Sequence, residues 1–252
     1  MIITSAENPL VKYASSLKEK KYRDRENKFL AEGIFCVCDM EDASVIETVF
    51  VTENTLNNPK VSDFLKKTSE PIIVSDRVMA RLSDTVTPQG IVAVIKKNVN
   101  DLPPIGAAII LDGIKDPGNA GTIIRTASAI GYKNILAVDS VDMYSPKVVR
   151  STMGGIFRVN VKEYSSRDRM LSDLVDYKIY ALDMAGENIF SFTPDTQNFA
   201  LCVGSEALGI SVEVRQSADN LLSLPMNGSM ESLNASVAAG IAMYMLKKKD
   251  LF

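Results

Sequence analysis

The stretch LDGIKDPGNAGTIIRTASAIG, Leu111–Gly131, sits between two apolar runs, Ala107–Leu111 and Ile135–Val138. In order it reads as a strand, a glycine-rich loop, a helix over Ala120–Ile130 and a second strand. That is the unit from which parallel sheets are built. Ile123, Ala127 and Ile130 share one helix face and would bury against the sheet. Asn119 is placed to cap the helix, its side chain accepting from an otherwise unpaired backbone N–H. Gly121 and Arg125, four apart, share another face. The bare Gly121 would let a ligand approach the helix start and still reach the guanidinium, where free N–H groups and the helix dipole favour an anion. The loop matches neither G-x-G-x-x-G nor G-x-x-x-x-G-K-[ST], so a nucleotide pyrophosphate fits poorly. A capped helix with a solvated arginine is an equally good reading of this stretch alone.

The alternation continues outward. Strands are expected at Ile156–Val161, Lys178–Leu182, Phe199–Val203 and Leu221–Leu224, with helices at Pro146–Met153, Arg167–Leu174, Ser211–Gln216 and Ser232–Leu246. This predicts an α/β fold with a mainly parallel, doubly wound sheet, helices on both faces and ligands beyond the carboxyl ends of the strands. Upstream, Asn8–Met40 reads as helical, with Pro9 in its first turn. From Ser44 onward SVIETVFVT, PIIVS and GIVAVIKK read as strands, and PKVSDFLKKT and RVMARLS as helices. The expected organisation is a small α/β domain over residues 1–97, a polar, proline-ending linker over 98–104, and a second domain over 105–252.

Composition narrows the chemistry. The 252 residues suffice for one large or two modest domains, and 46% hydrophobic with 23% charged residues is ordinary for a soluble globular chain. A net charge of −3 exerts no overall pull on nucleic acid, so a polyanion would need a local basic patch. The opening MIITSAENPL lacks a secretory pattern, and no apolar run reaches the roughly 18 residues of a membrane span. A cytosolic protein with no membrane partner is expected. Cys36 and Cys38 fit neither a redox nor a zinc spacing, and Cys202 lies in an apolar strand; all three read as reduced packing residues. The chain has no histidine. That removes Ser-His-Asp and Cys-His catalysis and the usual ligands of catalytic zinc, so no metal site is expected.

Three further stretches carry candidate chemistry. In FALCVGSEALGIS, Phe199–Ser211, a buried strand ends at Gly204, with Ser205 and Glu206 directly after it and Gly209 permitting a sharp turn. This sets a carboxylate at the carboxyl end of a strand, or simply caps the next helix. In LLSLPMNGSMESLNASVAAGIAMYMLKKK, a strand ends at Leu224–Pro225 and a helix opens with Ser232 and Asn234. Its run of small residues, Ala235 to Gly240, suits close packing within the chain or across a dimer. In YSPKVVRSTMGGIFRV, Lys147, Arg150 and Arg158 form either a basic rim or a solvated face.

In their order and form, NAGTIIRTASAIG, VGSEALGIS and LPMNGSMESLNASVAAGIAMY resemble the three motifs of the SpoU–TrmH family of RNA ribose 2′-O-methyltransferases, in the SPOUT superfamily. The matching positions are Asn119, Gly121 and Arg125, then Gly204, Glu206 and Gly209, then Pro225, Ser232, Leu233 and Asn234. NPLVKYASSLKEKKYRDRENKFLAEG and TVTPQGIVAVI resemble the opening and closing phrases of that family's N-terminal substrate-binding domain. The resemblance covers nearly the whole chain.

The resemblance implies an α/β sheet with a deep trefoil knot near the C terminus, a threading that no pattern in the sequence would suggest. It implies S-adenosylmethionine as cofactor, RNA as partner, and a homodimer with the site near the subunit interface. The backbone around Gly204, Leu224, Met226 and Leu233 would grip the cofactor, with Glu206, Ser232 and Asn234 beside it. Ser232 and Asn234 would shape the place of methyl transfer, and Asn119 and Arg125 would face the ribose and its phosphate. Arg125 stays protonated, so it would stabilise a developing alkoxide rather than take its proton. The proton could leave to water, to an RNA phosphate or to Glu206. Lys18, Lys20, Lys21, Arg23 and Arg25 around Tyr22 are expected RNA contacts, together with Lys147 and Arg150; a solvated helix face is the alternative. The N-terminal domain favours ribosomal RNA. A tRNA 2′-O-methyltransferase, a non-methylating RNA-binding factor of the same fold and an ordinary nucleotide-binding enzyme are the rival readings.

Overall fold

A computed structural model describes residues 2–98, 103–227 and 232–248. They form two compact units. The first holds the described residues up to 98 together with Tyr144–Phe157; the second holds those from 103 to 143 and from Arg158 onward.

In the first unit, Asn8 caps helix α1 (Pro9–Ser16) through its side chain. Helix α2 (Lys20–Glu26) ends at Asn27, whose backbone is left-handed with φ 51°. Strand β1 (Lys28–Glu32), α3 (Ile34–Cys38), β2 (Ile46–Val51), α4 (Glu53–Leu56), α5 (Pro59–Leu65), β3 (Ile72–Ile73), α6 (Asp76–Leu82) and β4 (Ile91–Lys96) follow. The sheet order is β1-β4-β2-β3. The helical reading of Asn8–Met40 is thus corrected at Lys28–Glu32, which pairs antiparallel with β4, Phe29 opposite Ile95. Asn27 turns the chain out of the helix, and the buried run that follows satisfies its backbone groups in a ladder. Val11 and Ala14 of α1, with Leu17 just after it, close the core over Leu30, Phe50 and Val94.

The second unit is a six-stranded sheet whose strands all pair parallel. Its elements are β5 (Ala108–Asp112), α7 (Pro117–Ile130) and β6 (Asn134–Val138). The chain then contributes α8 (Pro146–Ser151) to the first unit before β7 (Asn160–Tyr164), α9 (Arg167–Ser172), β8 (Lys178–Asn188), β9 (Phe199–Gly204), α10 (Val212–Ser217), β10 (Asn220–Ser223) and α11 (Ala235–Leu246). The strand order is β10-β8-β9-β5-β6-β7. Ala108, Ile110, Leu136, Val138, Ala200 and Cys202 share one face of the sheet, covered by Met170 of α9 and Val214 of α10. The alternate residues face the other way, where α7 and α11 pack on one another. A Cβ at Gly240 of α11 would stand 3.8 Å from Thr126 of α7, an ordinary contact.

Two expected elements shift. The strand placed at Ile156–Val161 begins only at Asn160; Gly155–Arg158 is a 3-10 turn. Left-handed Met153 and Gly154 bend the chain there as it leaves the first unit. The last helix starts at Ala235 rather than Ser232, because the Asn234 side chain accepts from the N–H groups of Ser236 and Val237 and caps it. All three cysteines are free. Burial pushes the Cys36 thiol up to about 12 and the Cys38 thiol up to about 11, so neither is a nucleophile at neutral pH. Among the described residues no helix is long and apolar enough to cross a membrane.

Candidate active site

Register brings the site together. Asp112 at the end of β5 lies opposite both Val138 of β6 and Gly204 of β9, so three central strands end level. Beyond them the chain turns tightly from β9. Ser205 and Gly209 exchange backbone hydrogen bonds of 3.1 and 2.8 Å, and the Ser205 hydroxyl accepts from Leu208 N–H. Glu206 stands at the tip of this turn.

Asn119 does not cap α7. Asp116 does, its carboxylate accepting from Asn119 N–H at 2.8 Å, with Pro117 as the first helical residue. Asn119 sits one turn in, buried, and its amide is free to face the loops. Asn119 Nδ2 donates to Glu206 Oε1. Asn234 Nδ2 donates to Asn119 Oδ1 at 2.9 Å. Asn234 Oδ1 accepts from Ser236 N–H at 2.9 Å and from the Ser236 hydroxyl at 2.6 Å. One line of amides therefore runs from the start of α11 to a carboxylate. Each bond polarises the next, and the positive end of a helix dipole feeds the chain toward the negative group. Glu206 does not cap α10, because Ser211 does.

Beside this line lies a cleft of about 420 Å³. Gly204, Glu206, Leu224, Met226, Ser232 and Leu233 all border it. So do Leu182, Asp183, Met184 and Arg215, which the sequence reading missed. Between Leu221 and Leu222 of β10 the register jumps from Ala181 to Glu187 of β8, so residues 182–186 loop out of the ladder over the cleft. A Cβ on Gly186 would overlap the Leu221–Leu222 backbone. That glycine, isolated in a strand pattern, was the available signal for the loop. Arg215 pairs with Asp183 across 32 residues, a contact with no local signature.

Asp112, almost fully buried, holds the floor. It accepts from Arg167 Nε at 2.9 Å and from Ser211 N–H at 2.7 Å, tying the starts of α9 and α10 to the strand end. Arg125 is not among the cleft's lining residues. It is exposed on α7, and its side chain makes no hydrogen bond or ion pair among the described residues.

One expected RNA contact is corrected, and two more are engaged within the first unit. Arg23 is buried, its Nη1 donating to the Leu17 carbonyl at 2.8 Å to close the α1–α2 turn. Arg150 donates to buried Glu32 within the first unit and so holds an ion pair rather than a free charge. Lys18 donates to the Arg81 carbonyl at 2.8 Å. Lys20, Lys21 and Arg25 stay on the surface, paired with Asp24, Glu19 and Glu26, and Lys21 and Arg25 flank the Tyr22 ring. Lys147 is exposed. No three His, Cys, Asp or Glu side chains among the described residues gather as metal ligands.

Comparison with known proteins agrees with this geometry. Residues 106–244 match the SpoU rRNA Methylase family, and residues 8–93 match the MRM3-like substrate binding domain. The chain is 30% identical to the 23S rRNA (guanosine(2553)-2′-O)-methyltransferase RlmP of Bacillus subtilis, covering 97% of this chain and 98% of that one. An AdoMet-bound rRNA methyltransferase from Sinorhizobium meliloti superposes with a TM-score of 0.85 at 29% identity, covering 99% of this chain and 98% of that one. The SpoU methyltransferase AviRb from Streptomyces viridochromogenes, in complex with AdoMet, superposes with a TM-score of 0.86 at 25% identity, covering 97% and 99%.

Proposed function

The chain belongs to the SpoU rRNA methylase family, an RNA methyltransferase that uses S-adenosylmethionine, and we propose that it methylates a ribose 2′-hydroxyl of ribosomal RNA. The observation that carries this reading is the hydrogen-bonded line Glu206–Asn119–Asn234 at the edge of the cleft. The cleft suits the cofactor chemically. Leu182, Val203, Leu222, Leu224 and Leu233 offer apolar walls to a purine, while the Glu206 carboxylate, left as net negative charge once Asp183 and Arg215 pair, suits a ligand bearing hydroxyls and positive charge. When bound, the cofactor supplies a methyl group activated on a sulfonium. The residues do the rest. Backbone near Gly204, Met226 and Leu233 binds it, Ser232 and Asn234 border the reacting end, and Asn119 orients Glu206. Arg125, permanently protonated, stabilises the oxygen as its proton leaves.

Arg125 does not line the cleft, an arrangement compatible with a homodimer in which one subunit's arginine serves another's cofactor site. Val237, Ile241 and Tyr244 of α11 lie at helical spacing and are 50%, 37% and 50% exposed, a stripe that a second copy would cover. Tyr244→Glu is expected to shift the chain to monomer in sedimentation and to lower methyl transfer at least about tenfold, the cost of burying a carboxylate in such an interface. A dimeric Tyr244→Glu chain would count against this surface.

The direct test is transfer of labelled methyl from S-adenosylmethionine into size-separated unmodified RNA, with Asn234→Ala as control. Label confined to a large ribosomal RNA and lost in the variant is the expected result. Label in the tRNA band would keep the chemistry and reject the substrate. In the same assay Arg125→Lys is expected to fall about 10- to 100-fold, because a point charge replaces a planar fork. Activity near that of the unchanged chain would show that charge alone suffices.

A further inference from the structure

Lys20, Lys21 and Arg25 beside Tyr22 are surface cations; such groups meet phosphates and carry no base information, so discrimination between RNA sequences calls for another feature. A pocket of about 120 Å³ opens in that unit between the β1–α3 turn, the segment joining α6 to β4, and the end of α8. That is the liquid volume of about four water molecules, the scale of one planar ring system. Cys36 and Ile91, both buried, line its interior. At its lip stand Phe35 and Met153, 56% and 40% exposed, large apolar groups with no burial to explain them. Lys60 lies 4.7 Å over the Phe35 ring and is tied to Asp39 at 2.6 Å, which steadies an aromatic side chain left in solvent.

The polar wall is specific as well. Gln89 Oε1 accepts from Ile34 N–H at 2.8 Å, which fixes the amide and leaves Nε2 with no partner among the described residues. The charges cancel: Glu32 takes Arg150 on one oxygen, and the Ser83 hydroxyl and Asp84 N–H on the other. Met153 holds left-handed backbone, φ 49°, rare for a bulky side chain, and Gly154 follows at φ 86°. An aromatic face, a thioether, an oriented amide donor and no net charge do not suit a phosphate or a charged peptide. They suit a neutral heteroaromatic ring with acceptors on its edge.

We propose that this pocket holds one unstacked base of the RNA substrate, stacked on Phe35 and read along its edge by Gln89. The proposal rests on the reading of the chain as an RNA methyltransferase. It makes the first unit a selector of a single-stranded nucleotide rather than only a source of positive charge.

The test is equilibrium binding of in vitro transcribed, unmodified large-subunit ribosomal RNA to the full chain across a salt series, with cofactor binding followed in parallel by calorimetry. Phe35→Ala is expected to raise Kd for RNA about tenfold or more, with the slope of affinity against salt unchanged because no phosphate contact is lost. Phe35→Tyr should restore tight binding. Gln89→Ala should weaken RNA binding and leave cofactor affinity unaltered. If the unchanged chain methylates RNA and Phe35→Ala binds that RNA within twofold, the pocket is not a base site and the enzyme reading stands. If Phe35→Ala loses RNA and cofactor binding together, the effect is on folding and the proposal fails. If the unchanged chain neither binds nor methylates RNA, both readings fall.

Discussion

Asn119→Ala is expected to lower the rate of methyl transfer by about 100- to 1,000-fold, the range seen when one preorganised donor is removed from an active site. The Asn119 amide spends its donor on Glu206 and its acceptor on Asn234. Alanine would release Glu206 to swing on an exposed turn and leave the Asn234 amide without its acceptor; both residues are exposed, so each can turn to water and the cost in stability is small. The α7 helix would survive, because its cap is Asp116 and its buried face is Ile123, Ile124 and Ala127. Thermal stability should therefore change little, and cofactor affinity only modestly, since Asn119 does not line the cleft. Asn119→Asp should be at least as damaging: it keeps the shape but sets a second carboxylate against Glu206. Single-turnover methyl transfer beside calorimetric cofactor titration separates these effects. Activity above about a third of normal in Asn119→Ala would mean that the amide line is structural decoration.

Gly204→Ala is expected to raise Kd for S-adenosylmethionine more than about 100-fold, a loss of at least about 2.7 kcal/mol. Gly204 is the last residue of β9 and pairs beside Asp112. A Cβ there would overlap the backbone of Gly209 and Ile210 where the turn crosses back. Backbone cannot rotate aside as a flexible side chain can. The Ser205–Gly209 bonds would have to open, and with them one wall of the cleft. Overpacking of this kind costs about 1–3 kcal/mol, or roughly 2–10 °C in Tm for a chain of this size. A folded Gly204→Ala chain that binds cofactor normally would show that the turn is not part of the binding wall. Gly240→Ala is the contrast: its Cβ would make only an ordinary contact, so affinity should hold.

The alternation of apolar strands with helices at 3.6-residue spacing made the parallel sheet of the second unit legible, because each element carries its own periodicity. The motif residues were legible as types for a similar reason: glycine at a strand end, asparagine before a helix and a carboxylate after Gly204 each answer a local backbone need. Their partnership was not legible. Asn119 looked like a cap because caps are local; it is a bridge because β5 and β9 end level, and Glu206 and Asn234 stand 87 and 115 residues downstream. Arg23 read as a basic surface residue, since charge carries no record of direction, yet packing turned it inward onto the Leu17 carbonyl. The Lys28–Glu32 strand was hidden inside a charged helical pattern until β4 supplied its ladder. Local patterns thus determine elements and the residue kinds at their ends. Register, long-range ion pairs and the pocket beside Phe35 belong to tertiary structure, because each depends on which distant chain segments meet.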